Sequence, residues 1–104
     1  MAVEDLLKEA EHLCMRFLDS EMGPREFVDS MEDWLLENIT QFRKANMPIH
    51  KLLDDYWTWV LAMYQENEAL RAPKDSGLLG PDELRTETEL LLTRLRSMKG
   101  ESPQ

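Results

Sequence analysis

Apolar residues recur at three- and four-residue spacing along most of this chain, and that period predicts helices rather than strands. The first helix is expected over about 3–19, with Val3, Leu6, Leu7, Ala10, Leu13, Cys14, Phe17 and Leu18 on one stripe. Ser20 to Gly23 interrupt the pattern. A second helix follows over 24–46, opened by Gly23-Pro24, with Glu26 in its first turn. Proline suits the first helical position and an acid there complements the helix dipole. Its stripe is Phe27, Val28, Met31, Trp34, Leu35, Ile39 and Phe42, and Asn46, Met47 and Pro48 stop it, because the residue before proline resists the α region. A third helix is expected over 49–71. Ala72 to Gly80 then read as a loop, with Pro73, Ser76, Gly77 and Gly80 as breakers and Leu78 and Leu79 as anchors to the body. A fourth helix runs over 81–98, its seam formed by Leu84, Leu91, Leu95 and Met98 with Thr88 between. Residues 100–104 are left as a flexible tail. The fold class is all-α: a compact antiparallel bundle of three to four helices in a single domain over 1–99.

The third segment is apolar around too much of its circumference. At about 100° per residue its large apolar side chains cover an arc of roughly 200°, whereas a helix at the edge of a small bundle needs little more than 100°. The arc divides into two ridges. Leu52, Tyr56, Trp59, Met63 and Leu70 make one; Leu53, Trp57, Leu61 and Tyr64 make the other. Either both are core, or one is open to a partner. Leu61 reaches furthest from the centre of the arc, so the ridge of Leu53, Trp57, Leu61 and Tyr64 is the expected partner-binding surface. The fourth-helix seam at Leu91 and Leu95 is expected to join it.

Charge narrows the partners. The formal net charge is −9 and the isoelectric point about 4.6. A field of that sign repels phosphate backbones and anionic lipid, which argues against nucleic acid and leaves a protein partner. No apolar run has the length of a membrane span. Hydrophobic residues make up 42% of the chain, enough for a folded globule rather than a disordered one. Cys14 is the only cysteine, so no disulfide forms within the chain, and its place on the first stripe makes it a small core residue. The acidic start, Met1-Ala2-Val3-Glu4-Asp5, resembles neither a signal peptide nor a transit peptide. The expected location is the cytoplasm or nucleus, which leaves the sequon Asn38-Ile39-Thr40 a chance match.

Catalytic and metal-binding arrangements find little support. Glu9-x-x-His12 has the spacing of a di-iron ligand pair, but the other histidine, His50, follows Met47 at that spacing, so the second pair is missing. Cys14 and His12 diverge on one helix. The glycines at 23, 77, 80 and 100 are too scattered for a phosphate loop. No cofactor is expected, and the chain is not read as an enzyme. Asn38 and Asn67 fall within apolar stripes, where each either lies at a stripe's frayed end or meets water, or, as a buried amide, specifies helix register or partner.

Phe17-Leu18-Asp19-Ser20-Glu21-Met22, with Phe27 ten residues after Phe17, resembles the end of the modifier-of-rudimentary domain found in subunits of the ESCRT-I sorting complex. The pattern there is an aromatic residue, Leu, an acid, a small residue and Glu, then Phe at this spacing. The match covers Phe17 to about Met31. Beyond it the family turns basic, whereas Glu32, Asp33 and Glu37 here are acidic. The long helix that precedes the motif in the family is absent. The resemblance implies a non-catalytic subunit of a helical assembly.

The expected function is therefore a non-enzymatic protein–protein interaction module, or a small subunit of a multi-protein complex, that docks a partner on apolar helix faces. One alternative is an obligate homodimer in which the fourth-helix seam and the third-helix ridge pair with their copies. Another is a small metal-binding or enzymatic helical bundle.

Overall fold

The computed structural model describes residues 3–73 and 75–100, the last two by backbone alone. It is an all-α bundle. Helix α1 is Val3–Leu18, α2 Pro24–Ala45 and α3 Met47–Tyr56; a π turn, Trp57–Leu61, continues α3; α4 is the single turn Glu68–Arg71; α5 is Pro81–Gly100. Of the tail expected over 100–104, only Gly100 lies within the described residues, and it ends α5.

The four long segments alternate in direction. Helices α1 and α2 are antiparallel, because Phe17 stacks on Phe27 with ring centroids 4.6 Å apart, while further along Trp34 Nε1 donates to Glu9 Oε1 at 3.1 Å. Helix α3 returns along α2, bringing Trp57 Nε1 to Glu32 Oε2 at 3.3 Å. Helix α5 descends beside α1: Arg85 donates to the Leu18 carbonyl near one end, and Arg96 pairs with Glu11 at 3.7 Å near the other. Inside lie Leu6, Ala10 and Cys14 of α1, Phe27, Met31, Leu35 and Phe42 of α2, Ile49 and Leu53 of α3, and Leu84, Leu91 and Leu95 of α5. The stripes read for α1, α2 and α5 face this core, and burial of a Leu, Ile, Phe or Met side chain contributes about 1.5–3 kcal/mol relative to exposure.

Two junctions are made by local chemistry. At the end of α1, Glu21 N–H bonds the Arg16 carbonyl at 2.8 Å and Ser20 N–H the Phe17 carbonyl at 3.0 Å, with Ser20 at φ 64°. That is the Schellman arrangement, in which the left-handed residue closes the last carbonyls. At the start of α3 the Asn46 side chain accepts from Ile49 N–H at 3.2 Å. This cap sets Pro48 inside the first turn, where a missing N–H leaves nothing unpaired. The helix accordingly begins at Met47, two residues earlier than expected.

The expected helix over 49–71 is corrected. After the π turn, in which Ala62 N–H reaches the Trp57 carbonyl at 3.0 Å, the chain leaves the helix. Leu79 N–H bonds the Met63 carbonyl and Gln65 N–H bonds the Leu79 carbonyl, each at 2.8 Å, so the segment pairs with the returning loop as an isolated bridge. The physical reason is composition. Gln65, Glu66, Asn67 and Glu68 offer no apolar stripe, so a helix continued through them would bury nothing, whereas the bridge satisfies the backbone and seats Leu79 on the core. Asn67 is not a buried amide of an apolar arc. It caps α4, accepting from Ala69 N–H at 3.0 Å. Asn38 bonds back to the Trp34 carbonyl of its own helix at 2.9 Å, so its amide donor is engaged locally.

Candidate binding groove

The structure takes the expected partner-binding ridge into the core. Leu53, Leu61 and Tyr64 are buried, as are Leu91 and Leu95 of α5. Trp57 is half-buried and packed against the core, with its indole N–H held by Glu32. Of the six, Leu91 lines an open groove, as its buried floor. Leu61 and Tyr64 lie on the side covered by the bundle and by the strap that returns through Leu79. The fourth-helix seam likewise meets this chain's own core, with Leu84, Leu91 and Leu95 buried there.

The opposite ridge is the open one. Trp59 is 68% exposed, although it lies between the buried Tyr56 and Val60. It stands at the mouth of a groove of about 200 Å³ between α3 with its π turn and α5. Tyr56 and Leu91 are the floor. Leu52, Trp59 and Val60 form one wall and Leu90, 44% exposed, the other. Asp55, Glu87 and Arg94 stand at the rim. Among the described residues none of these three forms an ion pair. The floor is fixed by Tyr56 Oη and Thr88 Oγ1 at 2.7 Å, which pins α3 to α5 just where the two helices part. Burial pushes the Tyr56 phenol well above its ordinary pKa, so it acts here as a neutral hydrogen-bonding strut.

The three tryptophans distinguish themselves by what holds them. Trp34 and Trp57 each donate the indole N–H to a glutamate across a helix pair. Trp59 makes no such bond among the described residues, and most of its ring meets solvent. The π turn containing it is a rare backbone form that occurs disproportionately at functional sites.

Other arrangements do less. A wider hollow of about 400 Å³ lies where the N-termini of α2 and α5 meet. Its lining includes Glu21, Glu26 and Asp82 against one cation, Arg85, and that guanidinium is committed to the Leu18 carbonyl and lies over the Phe17 ring at 5.9 Å. Acids already occupy the positive ends of both dipoles. Among the described residues, no group of three or more His, Cys, Asp or Glu side chains is placed to hold a metal ion. Glu9, of the Glu9-x-x-His12 spacing, instead accepts from Trp34. Cys14 is a buried free thiol whose pKa burial pushes up to about 12, the reverse of an activated nucleophile. Near the strap, Arg25 bonds Glu66 at 2.8 Å and lies over the Tyr64 ring at 5.1 Å, and that bond holds the Glu66 carboxyl below its ordinary pKa. No described helix is long and apolar enough to cross a membrane.

Comparison with protein-family models, with curated protein sequences and with solved structures found no match.

Proposed function

We propose that this chain is a non-enzymatic protein–protein interaction module, a small subunit of a multi-protein complex, that docks its partner on the groove between α3 and α5. The observation that carries the reading is Trp59, 68% exposed on an apolar groove and without the carboxylate partner that its two counterparts have. A tryptophan buries much area with few rotatable bonds, and tryptophans dominate the energetics of many interfaces. The groove's volume, about 200 Å³, is below the roughly 300–1,000 Å³ of small-molecule pockets, which favours a protein surface as occupant. The resemblance around Phe17 and Phe27 points the same way, toward a subunit of a helical assembly. The buried Cys14 thiol accords with a reducing compartment, the cytoplasm or nucleus.

Affinity capture from cells tests the reading when wild type is compared with Trp59→Ala and Trp57→Ala. Trp59→Ala is expected to keep the far-ultraviolet spectrum and melting temperature of the wild type and to lose co-purifying proteins. Trp57→Ala is expected to lower the melting temperature, since that ring is packed against the core. Identical captured proteins for Trp59→Ala and wild type would refute the groove as the docking site.

A further inference from the structure

We infer that the occupant of the Trp59 groove is an amphipathic helix of a protein partner, apolar on the face it presents and basic at the positions that pass Asp55 on one wall and Glu87 on the other. This rests on the docking role proposed above and adds the chemistry of the partner.

The shape argues for a helix. Two antiparallel helices part above the Tyr56–Thr88 bond, leaving a channel of the kind that receives a third helix by ridge-into-groove packing. Glu87 and Arg94 stand seven residues apart on α5, about 10 Å along its axis. About two turns of an incoming helix would therefore span the rim. Apolar side chains at spacing i, i+3 or i+4, and i+7 would then meet Leu52, Trp59 and Leu90 in succession.

The charges argue for these basic positions. Asp55 and Glu87 are two acids against the single cation Arg94, and the chain as a whole carries −9. Among the described residues none of the three rim charges is engaged in an ion pair, so each is available to a partner. Lysine or arginine opposite Asp55 and Glu87 would be steered in by the whole field and paired on arrival. A second copy of this chain is the weaker occupant on the same ground. It would bring the same excess of nine negative charges and the same two acids to within a Debye length of their counterparts.

The test uses the full chain and two synthetic 15-residue amphipathic peptides with one leucine pattern. One carries lysine on the polar face, the other glutamate. Binding is followed by amide and indole chemical shifts, with the chain's own mass measured by sedimentation equilibrium. The Leu/Lys peptide is expected to shift the Trp59 indole and the signals of Leu52 and Leu90. Trp59→Ala is expected to weaken it about tenfold or more. Asp55→Asn combined with Glu87→Gln should weaken it severalfold while leaving the Trp59 ring in place. Equal or tighter binding of the Leu/Glu peptide at the same signals would overturn the basic positions and leave the docking role standing. Leu/Lys binding that ignores Trp59→Ala would overturn the inference as mere attraction to an acidic surface. A dimer of the chain that Trp59→Ala dissociates would make a second copy the occupant, and it too would overturn the inference. If neither peptide binds and no dimer forms, the docking role falls with it.

Discussion

At the scale of single residues, the Tyr56–Thr88 pair has a direction that its geometry fixes. Thr88 Oγ1 bonds the Leu84 carbonyl at 2.7 Å, and a carbonyl only accepts, so the threonine proton is committed there. Tyr56 Oη, at 2.7 Å from the same Oγ1, must therefore be the donor. The two deletions are unequal. Tyr56→Phe removes a donor from an oxygen that still donates elsewhere, and the loss is expected to be about 0.5–1.5 kcal/mol. Thr88→Val leaves a phenol hydroxyl in the core without an acceptor, a penalty of about 1–3 kcal/mol. Urea denaturation of the two variants should rank Thr88→Val as the less stable. The reverse order would mean that the phenol finds another acceptor in the groove. Thr88 was legible in the sequence as a polar residue within an apolar seam. Its partner was not, because Tyr56 lies 32 residues away and no local pattern records a contact at that range.

At the scale of elements, the starts of α2 and α5 were legible, that of α3 came two residues early, and the end of the third helix was not legible. Pro24 and Pro81 mark their helices by chemistry confined to a single turn, so sequence suffices. The end of α1 is equally local: Ser20 takes φ 64°, a left-handed conformation that costs about 1–2 kcal/mol for a residue with a Cβ. Ser20→Gly removes that strain, offset in part by greater unfolded-state entropy, and is expected to raise stability by up to about 1 kcal/mol. A thermal melt checks it, and a lower melting temperature would mean that the serine side chain itself holds the turn. The end of the third helix is a different matter. The polar run Gln65 to Glu68 gives a helix nothing to bury, but where the chain turns is set by Leu79, which reaches Met63 and Gln65 from across the loop, and periodicity carries no record of that return. The same limit misplaced the exposed ridge. On a helical wheel at about 100° per residue, Trp59 and Leu61 are the two opposite edges of one apolar arc. Which edge is left open depends on where α2 and α5 lie, so the pattern could announce a surplus of apolar surface without saying which side bears it.

At the scale of the whole molecule, charge sets the behaviour. Excess negative charge of nine units on 104 residues destabilises the folded chain by self-repulsion, since folding brings the acids closer together. Against this stand the ion pairs of Arg25 with Asp29 and Glu66, and of Arg96 with Glu11. Arg25, Asp29 and Glu66 are all about half exposed or more, and such surface pairs are worth about 0–1 kcal/mol each at most, while Arg96 reaches the largely buried Glu11 at 3.7 Å. Salt screens repulsion and attraction alike, but the repulsion is a sum over many acids at long range, whereas the attractions are few and short. Raising sodium chloride from 10 to 300 mM shrinks the Debye length from about 30 Å to under about 8 Å. That spans the difference between a field felt across the bundle and one confined to neighbours. The net effect is expected to be stabilising, on the order of 1 kcal/mol, or a rise of roughly 4 °C in melting temperature for a chain this size. The same change should slow association with a basic helical partner, because steering depends on the field that salt removes. A melting temperature that falls with salt would show that the Arg25 and Arg96 pairs outweigh the self-repulsion. The acidic surface would then be a set of structural contacts rather than a field available for steering a partner.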